Sequence, residues 1–181
     1  MNTEIHTKNI GKDTMVWQYC VILEGAKIGE RCNINSHVFI ENDVIIGNDV
    51  TVKCGVYLWD GIVIEDNVFI GPNVTFTNDK RPRSKIYPNN FQKITIKQGA
   101  SIGAASIILG GTEIGNLSMV GAGSLVTNNV PDRALVMGSP AKIVGWLNLN
   151  GTKMIRENEL YVDDCGAKWK VKNNELIKFY K

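Results

Sequence analysis

Every sixth residue from Ile10 is apolar: Val16, Ile22, Ile28, Ile34, Ile40, Ile46, Val52, Leu58, Ile64, Ile70 and Phe76, then, after one interruption, Ile96, Ile102, Ile108, Ile114, Val120 and Val126. A period of six matches neither a 3.6-residue helix nor an alternating strand. It suits a chain that runs straight, turns and repeats. Three hexads close a triangular coil of 18 residues, and stacked coils pair each short strand in parallel with its equivalent one coil on, about 4.8 Å away. Eighteen hexads predict an all-β parallel β-helix of about six coils.

The fifth position of each hexad is small or branched, from Thr14, Cys20, Ala26 and Cys32 to Ser106, Thr112, Ser118 and Ser124, which suits corners beside large aliphatic groups. Glycine often follows the aliphatic residue, as at Gly11, Gly29, Gly47, Gly71, Gly103, Gly115 and Gly121. A tight turn with positive φ is the expectation there.

The rhythm stops after Phe76 and resumes at Ile96, one hexad plus 14 residues later, so an extruded loop is expected over about 77–95. A long loop on a rigid scaffold is where function concentrates. Residues 1 to about 9 should cap one open end of the prism. Pro131-Asp132-Arg133 breaks the repeat, and Gly138-Ser139-Pro140-Ala141-Lys142 should turn the chain off the prism. Turn candidates at Asn150-Gly151, Glu157-Asn158 and Asn173-Asn174 then predict a small β-ribbon. The expected organisation is a β-helix domain over 1–145 and a capping ribbon over 146–181.

The 181 residues carry a formal charge of +2, which argues against a nucleic-acid polymer or an acidic membrane as partner. The start, Met1-Asn2-Thr3-Glu4, has no leader character and no long apolar run follows, so a cytoplasmic location and no membrane association are expected. Cysteines at 20, 32, 54 and 165 show neither a disulfide framework nor zinc spacing. Two histidines, His6 and His37, are too few for a three-histidine zinc site, and no metal is expected.

Third positions 18 apart form the outward column Glu24, Asn42, Asp60 and Asn78 where the loop departs, followed by Asp79. Two carboxylates and an amide there would hold an amine; the competing account is solvated turn chemistry.

The repeats, the loop signature Phe76-Thr77-Asn78-Asp79 with Pro82-Arg83-Ser84, and the exit Gly138-Ser139-Pro140-Ala141-Lys142 resemble the left-handed β-helix acyltransferases. The chain is most similar to those that N-acetylate the 3-amino group of nucleotide-linked sugars for surface polysaccharides such as lipopolysaccharide O-antigen. Left-handed winding comes from this likeness alone, since parallel crossovers are otherwise right-handed. Related sugar O-acetyltransferases place a histidine base at this loop, whereas this chain has Asn78 and Asp79 and no histidine beyond residue 37.

The resemblance implies acetyl-CoA as co-substrate and a dTDP-linked, rather than UDP-linked, 3-amino-3,6-dideoxyhexose as acceptor. Asn78 and Asp60 would orient the amine and Asp79 assist or hold the loop. Arg81 and Arg83 suit a pyrophosphate, with Lys80 and Lys85 as surface charge. Tyr57 and Trp59 would stack on base or sugar, or serve subunit contact, and His37 would reach a base through the gap above Gly55. The pantetheine arm would lie along Gly103, Ala104, Gly121 and Ala122, small residues that equally suit tight turns, and Lys142 would meet a coenzyme phosphate. A homotrimer with active sites between subunits is implied. The alternatives are O-acetylation of a sugar or antibiotic, or a non-catalytic scaffold.

Overall fold

The computed structural model describes residues 3–180; Met1, Asn2 and Lys181, which belong to the expected end cap and ribbon, lie outside that range. The hexads stack in the expected register, with Ile22 facing Ile40, Ile28 facing Ile46 and Ile34 facing Val52. Beyond the interruption Ile64 faces Ile96, Ile70 faces Ile102 and Phe76 faces Ile108. The 14 inserted residues therefore leave the stack undisturbed.

Three sheets form the prism. The first face runs from Val21–Ile22 through Phe39–Ile40, Tyr57–Leu58, Thr75–Phe76 and Ile107–Ile108 to Leu125–Val126. The second runs from Lys27–Ile28 to Glu113–Ile114, and the third from Met15–Val16 to Met119–Val120 and beyond. Hexad aliphatics and fifth-position residues fill the interior, Cys20 and Cys32 among them. The buried hydroxyls of Ser106, Ser118 and Ser124 are satisfied by carbonyls three residues earlier, at 2.9, 2.7 and 2.6 Å.

Both ends differ from expectation. Glu4–Ile5, assigned to a cap, pairs in parallel with Val21–Ile22 and adds a seventh rung to the first face. At the other end Ala134–Gly138 stacks on Met119–Val120 and folds back antiparallel as Ala141–Trp146. The Gly138-Ser139-Pro140 segment is thus a hairpin turn that keeps the chain on the third face. Trp146 and Leu147, grouped by sequence with the ribbon, are buried in the core.

A four-stranded antiparallel sheet spans Ile155–Glu157, Leu160–Val162, Lys168–Lys172 and Glu175–Lys178. Its Tyr161, Trp169, Val171 and Leu176 pack against the core. Arg133 pins it to the prism: its guanidinium lies 4.6 Å from the Trp169 ring and its Nε donates to Leu147 O at 2.9 Å.

The glycines after the aliphatic positions do not have positive φ. They are small because the next coil passes too close. A Cβ on Gly103 would stand 2.5 Å from Ala122 N, and one on Gly71 2.7 Å from Ala104 N. Positive φ falls two residues later, at the fourth position, where Tyr19 (62°), Arg31 (54°), His37 (62°) and Leu117 (53°) share it with Asp13, Asp49, Asn67 and Asn73.

Candidate active site

The loop leaves the corner between the first and second faces. Gln92 N–H donates to Asn78 O at 2.8 Å, and Gly110 N–H donates to Thr77 Oγ1 at 3.1 Å, closing its base. With its amide oriented to satisfy both ends, Gln92 donates to Gly110 O at 3.1 Å and accepts from Lys80 Nζ at 3.2 Å. Lys80, expected as free surface charge, is therefore part of this latch. Asp79 Oδ1 accepts from Arg81 N–H at 2.8 Å and shapes the first turn of the loop. Arg81 and Arg83 are exposed, and Arg83 Nη1 donates to Pro82 O at 2.9 Å.

Below the loop, third-position side chains cap the turn one rung beneath them. Asn42 Oδ1 accepts from Gly25 N–H at 3.0 Å, and Asp60 Oδ1 from Asp43 N–H at 2.7 Å. The next rung inverts. Gly61, at φ 89°, directs its N–H down to Asp43 O at 3.0 Å, and the Asp60 carbonyl points up to accept from Asn78 Nδ2 at 3.4 Å. Asn78 is tied through its nitrogen, leaving Oδ1 without a donor among the described residues. The Asp60 carboxylate and the Asn78 carboxamide were expected to share one crevice as side chains. Instead the carboxylate serves the turn beneath, and Asn78 meets the main chain of Asp60.

Tyr57, Trp59 and His37 come together. With Tyr19, Val21, Val38 and Phe39 they line an open groove of about 400 Å³ on the first face. Trp59 Nε1 donates to Phe76 O at 2.9 Å, so the indole offers the groove only its ring. Phe39 and Tyr57 meet edge to face at 6.4 Å, and Tyr19 stacks on His37 at 5.0 Å. The space above Gly55, through which His37 was expected to reach, is filled by the Asn73 carboxamide. Tyr19 and Phe39 were missed, although each stands 18 residues from a residue singled out, His37 and Tyr57.

Ala104 and Ala122 stack at the opposite corner, between the third and first faces, with Gly103 N–H donating to Val120 O and Gly123 N–H to Ala104 O, both at 2.8 Å. The N–H groups of Ala104 and Ala122 meet no acceptor among the described residues. Lys142 is exposed on the hairpin that extends the third face, opposite Met137. This corner and the Asn78 corner lie at opposite edges of the first face, six residues apart around a coil, up to about 20 Å. One chain does not bring the two sets of residues together.

In the ribbon, Asp163, Asp164 and Cys165 offer ligand atoms within 4.8 Å of one another. Asp163 is already engaged, accepting from Cys165 N–H, Ala167 N–H and Trp169 Nε1 at 3.1, 2.8 and 2.9 Å.

Models of the bacterial transferase hexapeptide match residues 7–42 and 43–78, and that of the hexapeptide repeat of succinyl-transferase matches 93–128, together more than half of the chain. The chain belongs to the hexapeptide-repeat transferases. This acyltransferase is 53% identical over 93% of its length to the dTDP-3-amino-3,6-dideoxy-alpha-D-galactopyranose 3-N-acetyltransferase of Aneurinibacillus thermoaerophilus, covering 88% of that protein. Among solved structures it is similar to the BC4754 gene product of Bacillus cereus, at 28% identity and TM-score 0.62 over 82% of this chain and 86% of that one. The acetyltransferase VCA0836 of Vibrio cholerae aligns at 26% identity and TM-score 0.56, covering 77% and 74%. No helix among the described residues is long and apolar enough to cross a membrane.

Proposed function

We propose that this transferase moves the acetyl group of acetyl-CoA to the 3-amino group of a dTDP-linked 3-amino-3,6-dideoxyhexose. The observation that carries the reading is its 53% identity, over nearly the whole chain, to a relative named for that reaction. The chemistry at the loop agrees. A carboxamide, not an imidazole, stands where the loop departs, and an amine nucleophile needs no strong base.

In this mechanism the neutral amine attacks the thioester carbon, the C–N bond forms and the C–S bond breaks. The departing thiolate takes the surplus proton, giving the amide and free coenzyme thiol. Asn78 Oδ1 accepts one amine N–H and points the lone pair at the carbonyl. Asp60 contributes negative charge nearby and orients Asn78 through its carbonyl. Its carboxylate is not the base: Oδ1 is committed to Asp43 N–H at 2.7 Å in the turn beneath, and only the Asp60 main chain meets Asn78. Asp79 holds the loop. Rate enhancement then comes mainly from proximity.

The aromatic groove takes the base or sugar against Tyr57, Trp59 and His37, and Arg81 and Arg83 meet the pyrophosphate. The pantetheine arm runs along Gly103, Ala104, Gly121 and Ala122, hydrogen-bonding the free N–H groups of Ala104 and Ala122, and Lys142 meets a coenzyme phosphate. Asn78 and the cofactor corner lie at opposite edges of one face, so a homotrimer completes the site. In a closed three-fold ring each prism offers its two edges to different neighbours, and the loop corner of one copy meets the cofactor corner of the next.

The test is thiol release from acetyl-CoA. A dTDP-linked 3-amino sugar should release thiol and gain one acetyl group by mass, whereas the hydroxyl sugar should not. Release with the hydroxyl sugar would make it an O-acetyltransferase, and none with any amine would overturn the reading.

A further inference from the structure

We infer that Glu41 is a positioning residue for acetyl transfer, locking the inverted turn at Trp59-Asp60-Gly61 that leaves the side-chain Oδ1 of Asn78 free. The inference rests on the reading of Asn78 as the group that holds the amine.

Without inversion, the rungs beneath predict what Asn78 would do. Asn42 and Asp60 each spend a side-chain oxygen on the fourth-position N–H below. Asn78, next in that column, would spend its Oδ1 on Gly61 N–H. The left-handed Gly61 removes this demand by turning its N–H to Asp43 O.

Inversion needs an anchor on the preceding peptide, and Glu41 supplies it. Its Oε2 accepts from Asp60 N–H at 2.7 Å, a bond from a peptide to a carboxylate and so about twice as strong as a neutral one. The residues joined by that peptide both reach up to the loop. The Trp59 indole donates to Phe76 O at 2.9 Å, and Asp60 O accepts from Asn78 Nδ2 at 3.4 Å. These contacts bracket Thr77, the last residue before Asn78. Glu41 itself is fixed by its own N–H, which donates to Leu58 O at 2.9 Å. One carboxylate two rungs below the loop thus sets both contacts that aim Asn78, without touching substrate.

A double-mutant cycle tests this. Glu41→Ala should lower kcat about tenfold with KM for acetyl-CoA unchanged, and Glu41→Gln, which keeps an acceptor oxygen, should stay within about threefold of the parent. In an Asn78→Ala background Glu41→Ala should change kcat by less than about twofold, because its effect passes through Asn78. Gly61→Ala, which strains the same turn through φ, should show the same loss and the same silence in that background; it serves as the second variant if Glu41→Ala does not fold. Parental kcat in Glu41→Ala, or losses that multiply with Asn78→Ala, would overturn the inference while leaving Asn78 in place. An Asn78→Ala enzyme at parental kcat would instead overturn the reading of Asn78 on which it stands.

Discussion

Asn78 meets Asp60 through the main chain: its Nδ2 donates to the Asp60 carbonyl one rung below, and the Asp60 carboxylate turns away to Asp43 N–H. Removing the carboxamide should therefore remove the amine's acceptor and leave the fold in place. Asn78→Ala should lower kcat by about 10- to 100-fold with little change in melting temperature. Asp60→Ala loses both a charge and a turn cap and should cost about tenfold, while Asp60→Asn, which keeps an oxygen for Asp43, should fall between it and the parent. Thiol-release kinetics on the amino sugar read all three, and turnover within about twofold in Asn78→Ala or Asp60→Ala would count against the assignments.

The aromatic groove should act on binding more than on chemistry. Tyr57→Ala, Phe39→Ala and Tyr19→Ala each remove a ring from the lining described around His37. Each should raise KM for the nucleotide sugar about five- to tenfold with kcat nearly unchanged, the pattern of an interaction shared by ground and transition states. A fall in kcat at constant KM would move these rings out of the binding role.

Close coil stacking predicts a contrast between two glycines of one corner. Gly103→Ala places a Cβ 2.5 Å from Ala122 N, backbone that has nowhere to go, and should cost about 1–3 kcal/mol in thermal or denaturant melts. Gly123 has open space but φ of 68°, so Gly123→Ala should cost about 1 kcal/mol through strain alone. Equal melting of the two variants would contradict the stacking account.

Burial divides the thiols. Desolvation raises the pKa of Cys20 and Cys32, so both stay protonated and enclosed, whereas Cys54 and Cys165 are exposed. An aromatic disulfide reagent should titrate two thiols in the native protein and four after unfolding. Cys54→Ser with Cys165→Ser should leave no fast-reacting thiol, which also clears the background for the transfer assay.

Acid should loosen the ribbon. The Trp169 indole N–H, aided by the Ala167 and Cys165 amides, holds the Asp163 carboxyl below the usual range. A depressed folded pKa stabilises fully above the unfolded value near 4 and ceases to do so as pH falls through the folded value. Protection of the Ala167 and Trp169 amides against hydrogen exchange, taken relative to the intrinsic rate at each pH, should fall below about pH 4 before the coils open, and Asp163→Ala should show the lower protection already at neutral pH.

The period was legible because it is a packing constraint: one aliphatic residue per hexad must face the axis, so the pairing of Ile64 with Ile96 follows from counting. Corner conformation was not. Tyr19, Arg31 and Leu117 adopt left-handed backbone without a turn-former's side chain, because neighbouring coils dictate the path. The same limit hid the inverted turn. Column arithmetic put Asp60 beneath Asn78, but which way the intervening peptide faces depends on Gly61 and Glu41, whose roles appear only in three dimensions. The hairpin after Gly138 also escaped, since Pro140 reads equally as a stop or as a tight reversal.

Phe76 still faces Ile108 across the insertion as though nothing had been spliced between them. The seam closes on itself through Gln92 and Asn78, so the segment behaves as a removable cartridge on an indifferent frame. The loop can therefore change in sequence or length without renegotiating the hydrophobic interior, and a protein engineer can attempt that exchange with cassettes of different length.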